Sequence, residues 1–300
     1  MGNPFFSISY KPFYTSQLTY MKRSFQLLFF TIPLLLFNTG LKAQNLPEIK
    51  SSKDFCIGKT LTIRSEILHE DRILNIYLPN NYDPDSAGTY PVIYLLDGSR
   101  DEDFIHIAGL VQFGSFSWIN MIPETIVVGI SNIDRKRDYT FHTDVKEHVE
   151  QFPTAGHSAD FISFIESELQ PFIETHFKVN ATKTLIGQSL GGLLATEILF
   201  KKPYLFNNYI IVSPSLWWGN ESLMKYRPKP YQDNKSIYIA VGNEGKIMER
   251  EAKELYQKLR SVKKKNTKLY FQFLEDQNHS DALHLAVYHA FEKLFSKKKD

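Results

Sequence analysis

The stretch Thr184-Leu185-Ile186-Gly187-Gln188-Ser189-Leu190-Gly191-Gly192 constrains this chain more than any other, because an apolar run ends abruptly in a turn flanked by glycines. A strand that passes directly into a helix strains the backbone at the turn, and the positions two before and two after it must lack side chains for strand and helix to come close. Gly187 and Gly191 meet that requirement around Ser189. The pattern is that of a nucleophile elbow, with Ser189 as candidate nucleophile. The helical run Leu193–Phe200 follows, so the Leu190 N–H and the positive helix end can meet an oxyanion. Taken alone, the pattern is equally a Gly-rich turn, and its context must decide.

A serine hydroxyl needs a base within hydrogen-bond reach and a third group to orient that base. In α/β hydrolases these follow in the order Ser, then Asp or Glu, then His, each on a loop after a later strand. Ile237–Val241 is a short β-branched run ending in Gly242-Asn243-Glu244-Gly245, which makes Glu244 the candidate acid, with Glu249, Glu251 and Asp276 as contenders. Glu249 and Glu251 read equally well as solvated helix charges. Leu269–Leu274 is an aromatic-rich run followed by Glu275-Asp276-Gln277-Asn278-His279-Ser280, so His279 is the candidate base. The other eight of the nine histidines fall before the elbow or within helical patterns.

The second oxyanion donor is expected in the loop after the third strand. Tyr90–Leu96 is a continuous apolar run, as of a strand buried on both faces, and ends in Asp97-Gly98-Ser99. An N–H of Gly98 or Ser99 is the candidate donor; a tight turn needing glycine for geometry alone is the other reading. Strands at about Thr60–Leu68, Ile73–Leu78, Pro91–Leu96, Thr125–Ile130, Thr184–Ile186, Tyr209–Val212, Ser236–Val241 and Lys268–Leu274 alternate with helical patterns. This predicts an α/β fold with a mostly parallel central sheet and helices on both faces.

With these residues and the run Ser213-Pro214-Ser215-Leu216-Trp217-Trp218, the chain resembles the Putative esterase family of α/β hydrolases over roughly residues 60–295. That family includes esterase D-like enzymes, feruloyl and acetyl-xylan esterases, and esterases that open siderophore trilactones such as enterobactin and bacillibactin. The siderophore branch is suggested by Val128-Gly129-Ile130-Ser131-Asn132 with Arg135 and Arg137-Asp138, by Phe161–Ile165 leading to Glu168–Ile173, and by the Ser-Pro-Ser-Leu-Trp-Trp run. The resemblance implies a serine esterase without cofactor, its nucleophile on Ser189, its histidine on His279 and its acid near Glu244. Members often place the acid three residues past the glycine, where this chain has Gly245, so a Ser189–His279 dyad stays open. Phe141 also stands where relatives commonly have proline.

Residues 22–43 read as a signal peptide: Lys22-Arg23, an apolar core from Phe25 to Phe37, and a small-residue exit at Gly40-Leu41-Lys42-Ala43. The core is shorter than the roughly 20 residues of a membrane span, so export to the periplasm or medium, with cleavage after Ala43 and no stable membrane insertion, is expected. Met21 before Lys22-Arg23 reads as the true start. Residues 44–300 then suit one α/β hydrolase domain. The lone Cys56 excludes an intrachain disulfide, and nothing resembles a metal-ligand cluster or a nucleic-acid module. Lys263-Lys264-Lys265 and Lys297-Lys298-Lys299 read as solvated helix ends or as patches for an anionic partner.

Between Asn132 and His157 lies a long segment read as irregular, rich in charge and aromatics, at the ligand-binding edge of such a sheet. Arg135, Lys136 and Arg137 are candidates to receive an anionic or catecholate ester, and Trp217 and Trp218 to stack on an aromatic acyl group. Pairing of the arginines with Asp134 or Asp138, and packing of the tryptophans in the pocket floor, are the structural alternatives. Three functions follow: a siderophore or aryl ester hydrolase, a polysaccharide feruloyl or acetyl esterase, or a binding protein on a hydrolase scaffold.

Overall fold

The computed structural model describes residues 46–296. The segment 22–43 read as a signal peptide, Met21, the cleavage position after Ala43 and the run Lys297-Lys298-Lys299 lie outside the described residues. The unit from Asp54 onward carries the sheet and its helices.

Its strands are β1 (Lys59–Ser65), β2 (Glu70–Tyr77), β3 (Tyr90–Leu95), β4 (Ile126–Ile130), β5 (Val179–Gln188), β6 (Asn208–Val212), β7 (Lys235–Gly242) and β8 (Thr267–Leu274). They form one sheet in the order β1-β2-β4-β3-β5-β6-β7-β8. Only β1–β2 and β2–β4 pair antiparallel; the other neighbours run parallel.

The helices are α1 (Phe104–Ser115), α2 (Arg135–Tyr139), α3 (Lys146–Gln151), α4 (Ser158–Phe164), α5 (Gln170–His176), α6 (Leu190–Lys201), α7 (Trp218–Lys225), α8 (Lys246–Val262) and α9 (Ala282–Leu294). Why they lie on both faces follows from the two-residue period of a strand. Val92 and Tyr94 of β3, Tyr209 and Ile211 of β6, and Ile237 and Ile239 of β7 join a core with α4, α6 and α8. Ile93 and Leu95, Ile210 and Val212, and Tyr238 and Ala240 join a second core with α1 and α9. Strands covered on both faces are apolar at nearly every position, which is why β3, β4 and the Tyr209–Val212 stretch of β6 read as continuous runs.

The segment Asn132–His157 is not irregular throughout. It holds α2 and α3, and a bridge between Phe141 and His157 closes it. The Arg137 N–H donates to Asp134 Oδ1 at 3.0 Å, capping a five-residue helix too short to leave a periodic pattern. β5, β7 and β8 all end at the same edge of the sheet, so the loops after them converge there.

Candidate active site

Ser189 joins β5 to α6 with φ 59° and ψ −120°, a conformation that costs about 1–3 kcal/mol and persists only where neighbours over-determine it. Here the Ser189 N–H donates to Val212 O at 3.1 Å, while its carbonyl accepts from Ser215 N and Leu193 N, both at 3.0 Å. A Cβ on Gly187 would stand 2.4 Å from the Gly191 carbonyl oxygen, so the strand and helix touch where the glycines are. Ser189 Oγ makes its hydrogen bond with Ser215 Oγ at 3.2 Å rather than with His279.

Of the contending carboxylates, Glu244 meets the histidine. Its Oε2 lies 2.5 Å from His279 Nδ1, and since a carboxylate only accepts, Nδ1 carries the proton and Nε2 keeps a lone pair that can accept one. The other oxygen, Oε1, accepts from Ser213 Oγ and from the Gly242 N–H at 2.9 Å. Burial pushes the Glu244 carboxyl up, but these donors, with His279, outweigh it and hold the pKa below the usual range. Gly242 permits the approach of the two loops, since a Cβ there would stand 2.6 Å from Gln277 O. The His279 side chain is 47% exposed and its carbonyl accepts from Gln188 Nε2 at 2.5 Å. Asp276 is exposed on the same loop.

Glu249 and Glu251 are not solvated helix charges. Glu249 Oε1 accepts from the N–H groups of Glu244 and Gly245 at 3.2 and 3.0 Å, which ties the acid's loop to the first turn of α8. Glu251 is fully buried, with Oε2 lacking a partner among the described residues. Burial first, then the charge of Glu221, pushes its pKa up to about 7 from the usual 4.5. Between those values the folded protein holds a proton that the unfolded chain has lost, so stability falls as pH rises through the window and stays lower above it. The full shift is worth about 3 kcal/mol. Glu251→Gln should therefore raise the urea midpoint at pH 8 and match the wild type below pH 4.5; a variant less stable at pH 8 would refute this ionisation.

For the oxyanion the structure corrects one expectation. The Gly98 N–H is spent on Ile130 O at 3.0 Å, so Gly98 is not a donor. Its glycine is needed because a Cβ would stand 2.3 Å from the Gly129 Cα, the tight-turn reading. Ser99 N–H has no partner among the described residues, and Leu190 N–H is one of the free amides that open α6.

The substrate candidates fare differently. Arg135 grips Asp97, with Nε to Oδ1 at 2.6 Å and Nη2 to Oδ2 at 2.9 Å, and donates to Gln188 O at 3.2 Å. Arg137 pairs with Glu70 and Asp138, in a cluster with the fully buried Arg72. Both guanidiniums are thus committed to ion pairs, although Arg135 takes Asp97 rather than the nearby Asp134 or Asp138. Lys136 is exposed and stands 4.8 Å over the Phe152 ring. Trp218 is 1% exposed, donates Nε1–H to Phe141 O at 2.8 Å and stacks on His148, so it anchors the segment 132–157 and has no free face. Trp217 alone of the two is partly exposed.

Four contributors were not evident from sequence: Ser213 on the candidate acid Glu244, Ser215 on the candidate nucleophile Ser189, Gln188 on the histidine loop and Asp97 as anchor of Arg135. Two of them bracket Pro214 in a run already singled out, and Gln188 and Asp97 adjoin the elbow and Gly98. Proximity to those motifs was the available signal.

The match to a family model described as Putative esterase extends over residues 65–298. The ferri-bacillibactin esterase BesA of Bacillus subtilis is 28% identical over 259 residues, covering 79% of this chain and 90% of that protein. Among solved structures, the BES protein of Bacillus cereus aligns with a TM-score of 0.73 at 28% identity, over 83% of this chain and 98% of that one. An IroE-like serine hydrolase from Shewanella oneidensis aligns at 0.69 and 32% identity, over 79% and 80%. The sheet, its helices and these likenesses make the fold that of the α/β hydrolases, and the chain belongs to the Putative esterase family of ester hydrolases.

Proposed function

We propose that the protein is an exported serine esterase that opens siderophore trilactones through an acyl-enzyme. The observation that carries this reading is the Glu244–His279 pair at 2.5 Å on the sheet edge where Ser189 sits in its strained turn. In this reading Ser189 Oγ leaves Ser215 by rotating about χ1 and attacks the ester carbonyl carbon as His279 Nε2 takes its proton. The carbonyl oxygen gains the charge and meets the N–H groups of Leu190 and Ser99. Collapse breaks the bond to the alcohol, which leaves with the proton from His279; a water then repeats the sequence and frees the acid. A fluorophosphonate probe should label the wild type and not Ser189→Ala, and an unlabelled wild type would favour the reading as a non-catalytic binding protein.

The siderophore assignment rests on likeness to the ferri-bacillibactin esterase BesA. A second reading has its own support. With Arg135 and Arg137 committed to carboxylates, an uncharged aryl ester such as a feruloyl sugar fits the site as well. The exposed cation nearest in sequence to Ser99 is Arg100. The discriminating measurement is kcat/KM for ferric enterobactin, a feruloyl sugar ester and p-nitrophenyl acetate. Trp217→Ala should cost about tenfold on both aryl substrates, as for one lost stacking contact of 1 to 2 kcal/mol, and little on the acetate. Arg100→Ala should weaken only the charged substrate, and most at low salt. A wild type preferring the feruloyl sugar would move the protein to the polysaccharide reading.

Export is the remaining part of the proposal. Expressed in a bacterium from Met21, the protein should be recovered outside the cytoplasm with its amino terminus at or near Gln44. A mass retaining Phe25–Phe37 in the membrane fraction would show an anchor.

A further inference from the structure

The end of the sheet away from the esterase site holds a cavity of about 370 Å³. Its walls are apolar, with Leu199 from the end of α6, Leu259 and Val262 from the last turns of α8, and Pro230 from the chain before β7. Four cations stand around it: Arg227, Lys229, Lys263 and Lys264. No carboxylate pairs with any of them among the described residues. Lys264 reaches only Gln232, at 3.4 Å, and the nearby Asp233 is taken by the fully buried Lys235. Arg227, Lys229 and Lys263 are exposed.

Elsewhere on this chain arginines next to apolar walls are neutralised, as Arg72 is by Asp138 and Arg135 by Asp97. Like charges gathered without a counter-ion repel one another, and an anion among them relieves that repulsion. An apolar recess beneath a cationic mouth takes a ligand with an apolar body and one anionic head, and 370 Å³ lies at the small-molecule end of the range of about 300–1,000 Å³ for such sites. Ile237 and Thr267, at the amino ends of β7 and β8, border this cavity, whereas Glu244 and His279 follow the carboxyl ends. At about 3.3 Å per strand residue the two places are more than about 20 Å apart. The cavity is therefore not an arm of the esterase site.

We infer that this cavity is a second binding site, which takes a free aliphatic carboxylate with its chain against Leu259 and Val262 and its head among Arg227, Lys229 and Lys263. A phospholipid headgroup would offer the same chemistry, but a bilayer needs a broad apolar face, and between α8 and the Arg227–Tyr231 segment lies a recess of about 370 Å³ instead. The site gives a reason for the lysines at the end of α8 beyond the helix dipole.

Sodium decanoate, titrated by calorimetry below micelle formation into the full chain, should bind saturably at one site. Arg227→Glu with Lys229→Glu should weaken that binding more than about tenfold, with hydrolysis of p-nitrophenyl acetate and the urea midpoint unchanged. Val262→Trp, which fills the recess and keeps the cations, should abolish it; should that variant fail to fold, the charge reversals still decide. The inference is overturned by absence of saturable binding, by binding indifferent to the charge reversals, or by binding lost once Ser189 carries a fluorophosphonate. It is also overturned if the protein sediments with phosphatidylglycerol vesicles and ignores decanoate.

Discussion

Ser189→Ala should lower kcat by a factor on the order of 10⁴ to 10⁶ and leave KM near that of the wild type, because in the proposed mechanism the hydroxyl forms the acyl-enzyme and contributes little to ground-state binding. The fold should tolerate the change. Three backbone hydrogen bonds, from Ser189 N and to Ser189 O, hold the positive-φ turn, and none involves the side chain. Removing Oγ deletes only the contact with Ser215 Oγ. His279→Ala should cost about as much, since a serine without its base is an ordinary alcohol. The double variant should be no worse than the worse of the two, because nucleophile and base act as one unit. Losses that multiply in the double variant would remove His279 from the role of base.

These residues were legible in the sequence because their signals are local. The glycines around Ser189 are demanded by a contact four residues away, and Glu244 and His279 each follow a strand that its own composition announces. What stayed illegible depends on partners distant in the chain. Arg135 has carboxylates at 134 and 138, yet its guanidinium spans to Asp97, which the neighbouring loop delivers across the parallel pair of β3 and β4. Gly98 illustrates a related limit: composition shows that a backbone comes close, but not whether its N–H faces a ligand or, as here, Ile130 O. Trp218 and Trp217 are adjacent and chemically identical; only the turn that starts α7 decides which is buried. Side-chain alternation, by contrast, predicted two covered faces of the sheet from β3 alone, since a run without polar positions leaves neither face for water.

Glu244→Gln should lower kcat more than about 10²-fold, and the reason lies in which atoms face the carboxylate. Oε1 receives the Gly242 N–H and the Ser213 hydroxyl. An amide nitrogen cannot take the place of Oε1, because the Gly242 N–H can only donate and two donors would then face each other. The glutamine must therefore turn its NH₂ toward His279 Nδ1. That nitrogen then has to accept, the proton moves to Nε2, and the histidine presents Ser189 with a donor where it needs a base. The neighbouring carboxylates give the control. Glu249 uses one oxygen to accept two backbone N–H groups, a task that Gln performs equally, so Glu249→Gln should stay within about threefold. Measured side by side, a loss confined to Glu244→Gln assigns the orienting role to that residue, whereas losses under tenfold in both variants mean that Ser189 and His279 work as a dyad and that the 2.5 Å pair serves the loop rather than the chemistry.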